Sequence, residues 1–267
     1  MKRIILLAGL IVTGLGVPQA IGQPKSVELE GFPAASVDDV VVPVPSEVFN
    51  VLDKLGSPNW RGQFRESPGR NTGARSQVAL LLGTVIADGF VAVEAEDAEK
   101  VKEIGRDVLS LAGAINVRDA VISRSKSIVE KAEKKRWGEV RREFDGALQD
   151  VRGAMQELDD DDLAHLVSLG GWIRGTQVLT SLIAQDFDPE KSELLHQPEL
   201  VLYFGRRLDA MPSRLKNDAV VGKIRNSLDE IRPLVGTEDG SMVSLDDVKK
   251  INQISTELVE AISAENK

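Results

Sequence analysis

The chain of 267 residues has no cysteine, two histidines (His165 and His196) and few aromatic residues, with seven Phe, three Trp and one Tyr. Without cysteine there is no disulfide, no thiol nucleophile, no thiolate metal site and no cysteine-linked lipid anchor. With two histidines, a transition-metal site would have to be built from carboxylates, so no metal and no other cofactor is expected. A Ser–His–Asp triad would have to use His165, in the first turn of a predicted helix, or His196, just before Pro198, and both read as ordinary boundary positions. Gly-x-Ser-x-Gly, His-Glu-x-x-His, the phosphate loop and the dinucleotide fingerprint are all missing. No catalytic residue is assigned. Scarce aromatics argue against a carbohydrate cleft, and nothing among the abundant acids selects a pair for carboxylate hydrolysis.

The chain is short of positive charge as well. Lys and Arg number 33 against 42 Asp and Glu, a formal net charge of −9. That balance argues against general nucleic-acid binding, which needs a basic face. Lys2 and Arg3 open the chain, followed by an apolar run over Ile4–Val17, Pro18, and the small-x-small triplet Ala20-Ile21-Gly22. This is the pattern of a secretory signal peptide over 1–22, cut before Gln23. The apolar run is shorter than the roughly 18 residues of a spanning helix, so no transmembrane segment is expected after cleavage. Export without cysteine points to the periplasm or exterior of a bacterial envelope.

Residues 23–45 hold Pro24, Pro33, Pro43 and Pro45 and read as an extended arm, a peptide laid across the rest of the protein. One all-helical domain is predicted over 46–267. Its first short helix runs from Ser46 to Leu55 and stops at Gly56. A loop of about twenty residues follows, long enough to suggest a function. The next helix, roughly Ala74 to Ala95, is apolar nearly all round, as a central helix must be. Asp97 opens a helix with Val101, Ile104, Val108 and Leu111 on one face, and Asp119 opens another. Apolar residues keep one phase from Val121 to Leu158, so the fourth and fifth helices read either as two helices or as one long rod bent near Gly138. The acids Asp159 to Asp162 suit a helix N-terminus better than calcium, because the glycine and closing glutamate of a calcium loop are missing. Further helices are expected to begin there, at Pro198 and at Pro212. Ser244 and Asp247 cap a C-terminal docking helix over about 244–264, with its stripe of Val248, Ile251, Ile254, Leu258 and Ile262.

Three short blocks recur in order. Leu82-Gly83 with Ile86 matches Leu169-Gly170 with Ile173; Ile104-Gly105-Arg106 matches Phe204-Gly205-Arg206; Asp119-Ala120-Val121-Ile122 matches Asp218-Ala219-Val220-Val221. The spacing from first to second block is 22 and 35 residues, and from second to third 14 and 13. The fold class expected is therefore all-α: a multi-helix bundle built from a duplicated three-helix unit, about 76–135 and about 163–235. In such a pair Gly83, Gly170 and Gly171 would let two central helices approach closely.

Two features stand out chemically. Asp88 is a carboxylate within the apolar stretch "LLLGTVIADGF". An unpaired buried carboxylate is costly, and Arg174 on the matching helix is the best partner, with Gln177 second. The pair reads as structural before it reads as a ligand or catalytic site. The loop from Ser57 to Arg75 holds Arg61, Arg65, Arg70 and Arg75 against one acid, with Trp60 and Phe64 among them. It leads into a helix N-terminus, where anions are favoured. Trp60, Arg61, Phe64, Arg65, Arg70 and Arg75 are thus candidates for contact with an anionic ligand or an envelope protein; alternatively the arginines pin the loop to surface acids. The basic run Lys131, Lys134, Lys135, Arg136, Arg141 and Arg142 reads as a solvated face. Together these features favour an exported, non-enzymatic partner-binding or scaffold protein. A periplasmic carrier with a pocket between the repeats comes second, and a carboxylate hydrolase third.

Overall fold

Four successive helices end in the same way, and that shared ending sets the architecture. The computed structural model describes residues 35–37, 40–42, 45–68, 73–236 and 242–264; the predicted signal segment 1–22 and Arg70 lie outside them. The helices α1 (Pro45–Asp53), α2 (Arg75–Glu94), α3 (Ala98–Ala114), α4 (Arg118–Glu133), α5 (Trp137–Glu157) and α6 (Asp161–Gln185) come first. From α2 to α6 each link is three residues long, and its middle residue, Glu96, Asn116, Lys135 or Asp159, takes a φ between 50° and 68°. The next residue's N–H then reaches back across the turn: Asp97 to Ala92 O, Val117 to Ala112 O, Arg136 to Lys131 O and Asp160 to Met155 O, all at 2.9–3.0 Å. These are Schellman endings, which satisfy the orphan carbonyls of a helix. After the second of them Val117 is buried with Ala112, the apolar contact that accompanies the motif.

This ending separates α4 from α5, which the apolar phase alone left open as two helices or one bent rod. The chain turns at Lys135, and α5 folds back along α4. Glu143 of α5 accepts from Arg124 at 3.0 Å, Ser127 at 3.0 Å and Lys131, while Arg124 also reaches Asp150 at 2.8 Å. The link itself, Lys134 to Arg136, holds no glycine or proline, and the apolar phase runs through it unbroken.

Beyond α6 come α7 (Pro189–Ser192), a 3-10 turn Glu193–Leu195, α8 (Pro198–Ala210), α9 (Ser213–Lys216), α10 (Ala219–Ile231) and α11 (Leu245–Ser263). The helix expected from Pro212 is in fact two. Asp218 interrupts it because its side chain caps α10, accepting from Val220 N at 2.9 Å and Val221 N at 3.2 Å, and it also takes a bond from Ser76 at 2.8 Å. Within the segment expected as an extended arm, β1 (Ala35–Val37) pairs antiparallel with β2 (Val40–Val42) in the register Ala35↔Val42, Ser36↔Val41, Val37↔Val40. Each of these strands thus finds its partner within the same short segment.

At the centre α2 and α6 run parallel. Every residue of α2 from Ser76 to Val85 is buried. Although α2 is long and apolar enough to cross a membrane, it is covered by protein here. The two helices touch backbone to backbone: a Cβ on Gly83 would stand 2.0 Å from the Val167 carbonyl oxygen, and one on Gly170 would stand 2.0 Å from that of Leu80. α11 docks antiparallel on α6 through its buried stripe of Val248, Ile251, Ile254, Leu258 and Ile262, and its end also meets α2, where Gln77 donates to the Ile262 and Ala264 carbonyls.

Candidate functional site

The α2–α6 contact carries the polar centre of the molecule. Asp88 lies one turn and a half along α2 from Gly83, facing Arg174 on α6. Arg174 Nε donates to Asp88 Oδ1 at 2.7 Å, Nη1 to Gln177 Oε1 at 2.8 Å and Nη2 to the Gln63 carbonyl at 2.5 Å. The second partner is one that the pairing argument overlooked. Arg65 comes in from the loop and grips the same carboxylate, Nε at 3.0 Å and Nη2 at 2.5 Å to Oδ2. Its Nη2 also donates to Thr84 at 3.2 Å and its Nη1 to Ser263 of α11 at 3.4 Å. Arg174 is therefore not the sole central cation. The loop and the two central helices meet on one carboxylate, and Arg65 ties the C-terminal helix to it through Ser263.

Solvent reaches little of this centre. The side chains are 3 % exposed for Arg174, 12 % for Asp88 and 20 % for Arg65. Burial pushes the Arg174 guanidinium below its ordinary value; Asp88 opposes that, and the neighbouring charge of Arg65 adds to it. One acid serves two permanent cations, so the centre carries a net positive charge. Gln177, which accepts from Arg174, donates in turn to Thr256 of α11 at 3.1 Å.

Among the other described loop residues, Trp60 and Phe64 turn inward, while Arg61 and Arg75 pair with acids at the surface. Arg61 meets Asp97 at 2.8 Å, and Arg75 meets Asp160 at 2.7 Å. Trp60 is buried in a 3-10 turn, Trp60–Gln63, whose N-cap Asn59 accepts from Gly62 N. Phe64 is half-buried with Lys100 Nζ 5.7 Å above its ring, and Lys100 also donates to the Arg65 carbonyl at 2.7 Å. The loop thus brings Trp60, Arg61, Phe64 and Arg65 onto acids and apolar surface of the same chain.

Two clusters escaped the sequence reading. Glu94, Asp53 and Arg141 converge beside the rings of Phe49, Phe90 and Phe144. On α6, His165 stands between Arg207 and Tyr203 of α8. Arg207 Nη2 approaches the ring at Nε2, and the Tyr203 hydroxyl lies 3.3 Å from Nδ1. The charge pattern hinted at neither, because each depends on which helices pack together. Among the described residues no group of three or more His, Asp or Glu converges as a metal would require. An open groove of about 570 Å³ is lined by Asn116, Asp119, Asp150, Gly153, Glu157 and Leu158. A smaller one of about 290 Å³ lies between Pro58 and Asn59 on one side and Leu182 and Lys191 on the other. The Asp88 centre lines neither. Comparison with protein-family models, curated protein sequences and solved structures finds no match to this chain.

Proposed function

We propose that the chain is an exported, non-enzymatic helical protein of the cell envelope, acting as a scaffold or by binding a partner. The observation that carries this reading is the state of the central charges. Asp88, Arg65 and Arg174 are spent on one another and on Gln63, Thr84, Gln177 and Ser263, so this polar centre ties elements together. A site built for chemistry keeps donors or acceptors directed at open space. The N-terminal pattern of Lys2, Arg3, Ile4–Val17 and Ala20-Ile21-Gly22 supports export. Parallel packing of α2 on α6 through matched glycines supports descent from a duplicated three-helix unit. The same backbone contact weighs against the carrier reading, which needs room between those helices.

The surface proposed for an acidic partner or anionic ligand is the arginine-bearing segment. There Arg61 keeps 64 % and Arg75 48 % of its side chain exposed despite their ion pairs, and such exposed pairs contribute little to stability. The test is capture from solubilised envelope by the purified chain beginning at Gln23, with complex size read by light scattering. A discrete complex, weakened by Arg61→Gln with Arg75→Gln at unchanged melting temperature, supports the reading. Capture that ignores both substitutions contradicts the assigned surface, and retention of no envelope component contradicts the partner-binding role.

A further inference from the structure

Two carboxylates share one cation where α1, α2 and α5 meet. Arg141 of α5 holds Asp53, the last residue of α1, through Nη1 at 2.7 Å and Nη2 at 2.8 Å, and the same Nη2 donates to Glu94 at the end of α2 at 2.7 Å. The guanidinium also lies 4.8 Å from the centre of the Phe49 ring. Phe49 is the aromatic anchor of α1, 4.6 Å from Phe90 of α2 and 5.7 Å from Phe144 of α5 by ring centres. With both acids ionised the cluster is negative overall, and Glu96 in the α2–α3 link adds to that field. The two acids are not equivalent. Asp53 is 49 % exposed, whereas Glu94 is 7 % exposed and cannot call on water to support its charge.

We propose that Glu94 is a proton-operated latch on α1: protonated, it lets α1 sit firmly on α2 and α5, and its ionisation loosens that seat. The charged groups that face it are Arg141 from α5, Asp53 from α1 and Glu96 from the link. Burial pushes the Glu94 carboxyl up to about 7; Arg141 pulls it down, and Asp53 and Glu96 add to the rise. Hydrogen bonding to Arg141 holds Asp53 below its ordinary value. The seated state therefore binds the Glu94 proton more tightly than the loosened one. The attachment of α1 is strongest at acid pH and weakens as pH rises through about 7. The latch is independent of the proposed function.

The chain has no cysteine, so one introduced at the exposed Asn50 of α1 takes a single spin label. In full-length Asn50→Cys the mobile fraction of the label should grow as pH rises from about 4.5 and level off above about 7, with its midpoint between those values. Adding Glu94→Gln should hold the label immobile throughout. Adding Asp53→Asn gives Arg141 to Glu94 alone and should raise the midpoint's acidity by about one pH unit. A parent protein without a pH response, a Glu94→Gln protein that still responds, or an Asp53→Asn protein with an unmoved midpoint would each overturn the latch. If circular dichroism finds Glu94→Gln unfolded, the Asp53→Asn midpoint decides alone.

Discussion

Lys135 has no glycine's freedom, yet it holds a φ of 55° at the end of α4. An L-residue in that region costs roughly 1–2 kcal/mol, which the Schellman hydrogen bonds and the packing of α5 on α4 offset. Lys135 is exposed, so its side chain contributes little that a substitution would remove. Lys135→Gly should therefore stabilise the protein by about 0.5–1 kcal/mol, after the glycine's greater freedom in the unfolded chain is counted. The midpoint of urea unfolding measures it; a loss of stability would mean that the link is not held in the left-handed region. The same residue explains what the sequence hid. Helix content and the docking stripe of α11 were legible because apolar spacing repeats every three to four residues. The α4–α5 turn was not, because its special backbone angle falls on a lysine. Asp88 was legible as a buried acid in need of a cation, and Arg174 as a supplier. Arg65 was not, because its place beside Asp88 depends on how a loop of about twenty residues folds back over the bundle.

Between elements, the α2–α6 contact depends on the absence of two side chains. A methyl on Gly83 would meet the backbone of Val167 and Gly171, and one on Gly170 the backbone of Leu80, and a backbone cannot swing aside as a side chain can. Gly83→Ala or Gly170→Ala should cost about 3 kcal/mol or more, at the upper end of overpacking penalties. Gly153 in α5 has open space where its Cβ would stand. Gly153→Ala should instead stabilise by about 0.5–1 kcal/mol, the ordinary helix-propensity gain. Thermal unfolding of the three variants separates close approach from propensity; equal effects at Gly83 and Gly153 would show that the helices do not touch there. The glycines were conspicuous in the sequence through the matched Leu82-Gly83 and Leu169-Gly170 blocks. Their role needed the parallel pairing, because a Leu-Gly pair alone says nothing about which helix it faces.

For the whole molecule, two carboxyls with opposite displacements shape the response to pH. Lys131, with Arg124 and Ser127, pulls Glu143 down to about 2 against the effect of burial. Its contribution is present above its ordinary value of 4.5 and is lost as pH falls toward 2. Glu94 acts in the opposite sense, taking stability away as pH rises from 4.5 through about 7. Urea midpoints plotted against pH should rise on the acid side and decline toward neutrality, and Glu94→Gln should remove the decline while sparing the acid limb. Mass spectrometry of protein from its native envelope should find a mature chain beginning at or near Gln23, whereas intact Met1 would contradict export by cleavage. The central claim concerns the triad that joins the loop to the bundle, and unfolding free energies test it most directly. Asp88→Ala strands the buried Arg174 and the partly buried Arg65 and should cost roughly 3–5 kcal/mol. Replacing Asp88 and Arg174 together by apolar residues should recover only part, since Arg65 remains unpaired, and replacing Arg65 as well should recover most of the rest. Strong coupling among all three positions is the predicted result; near-zero coupling, with Asp88→Ala as stable as the parent, would contradict it.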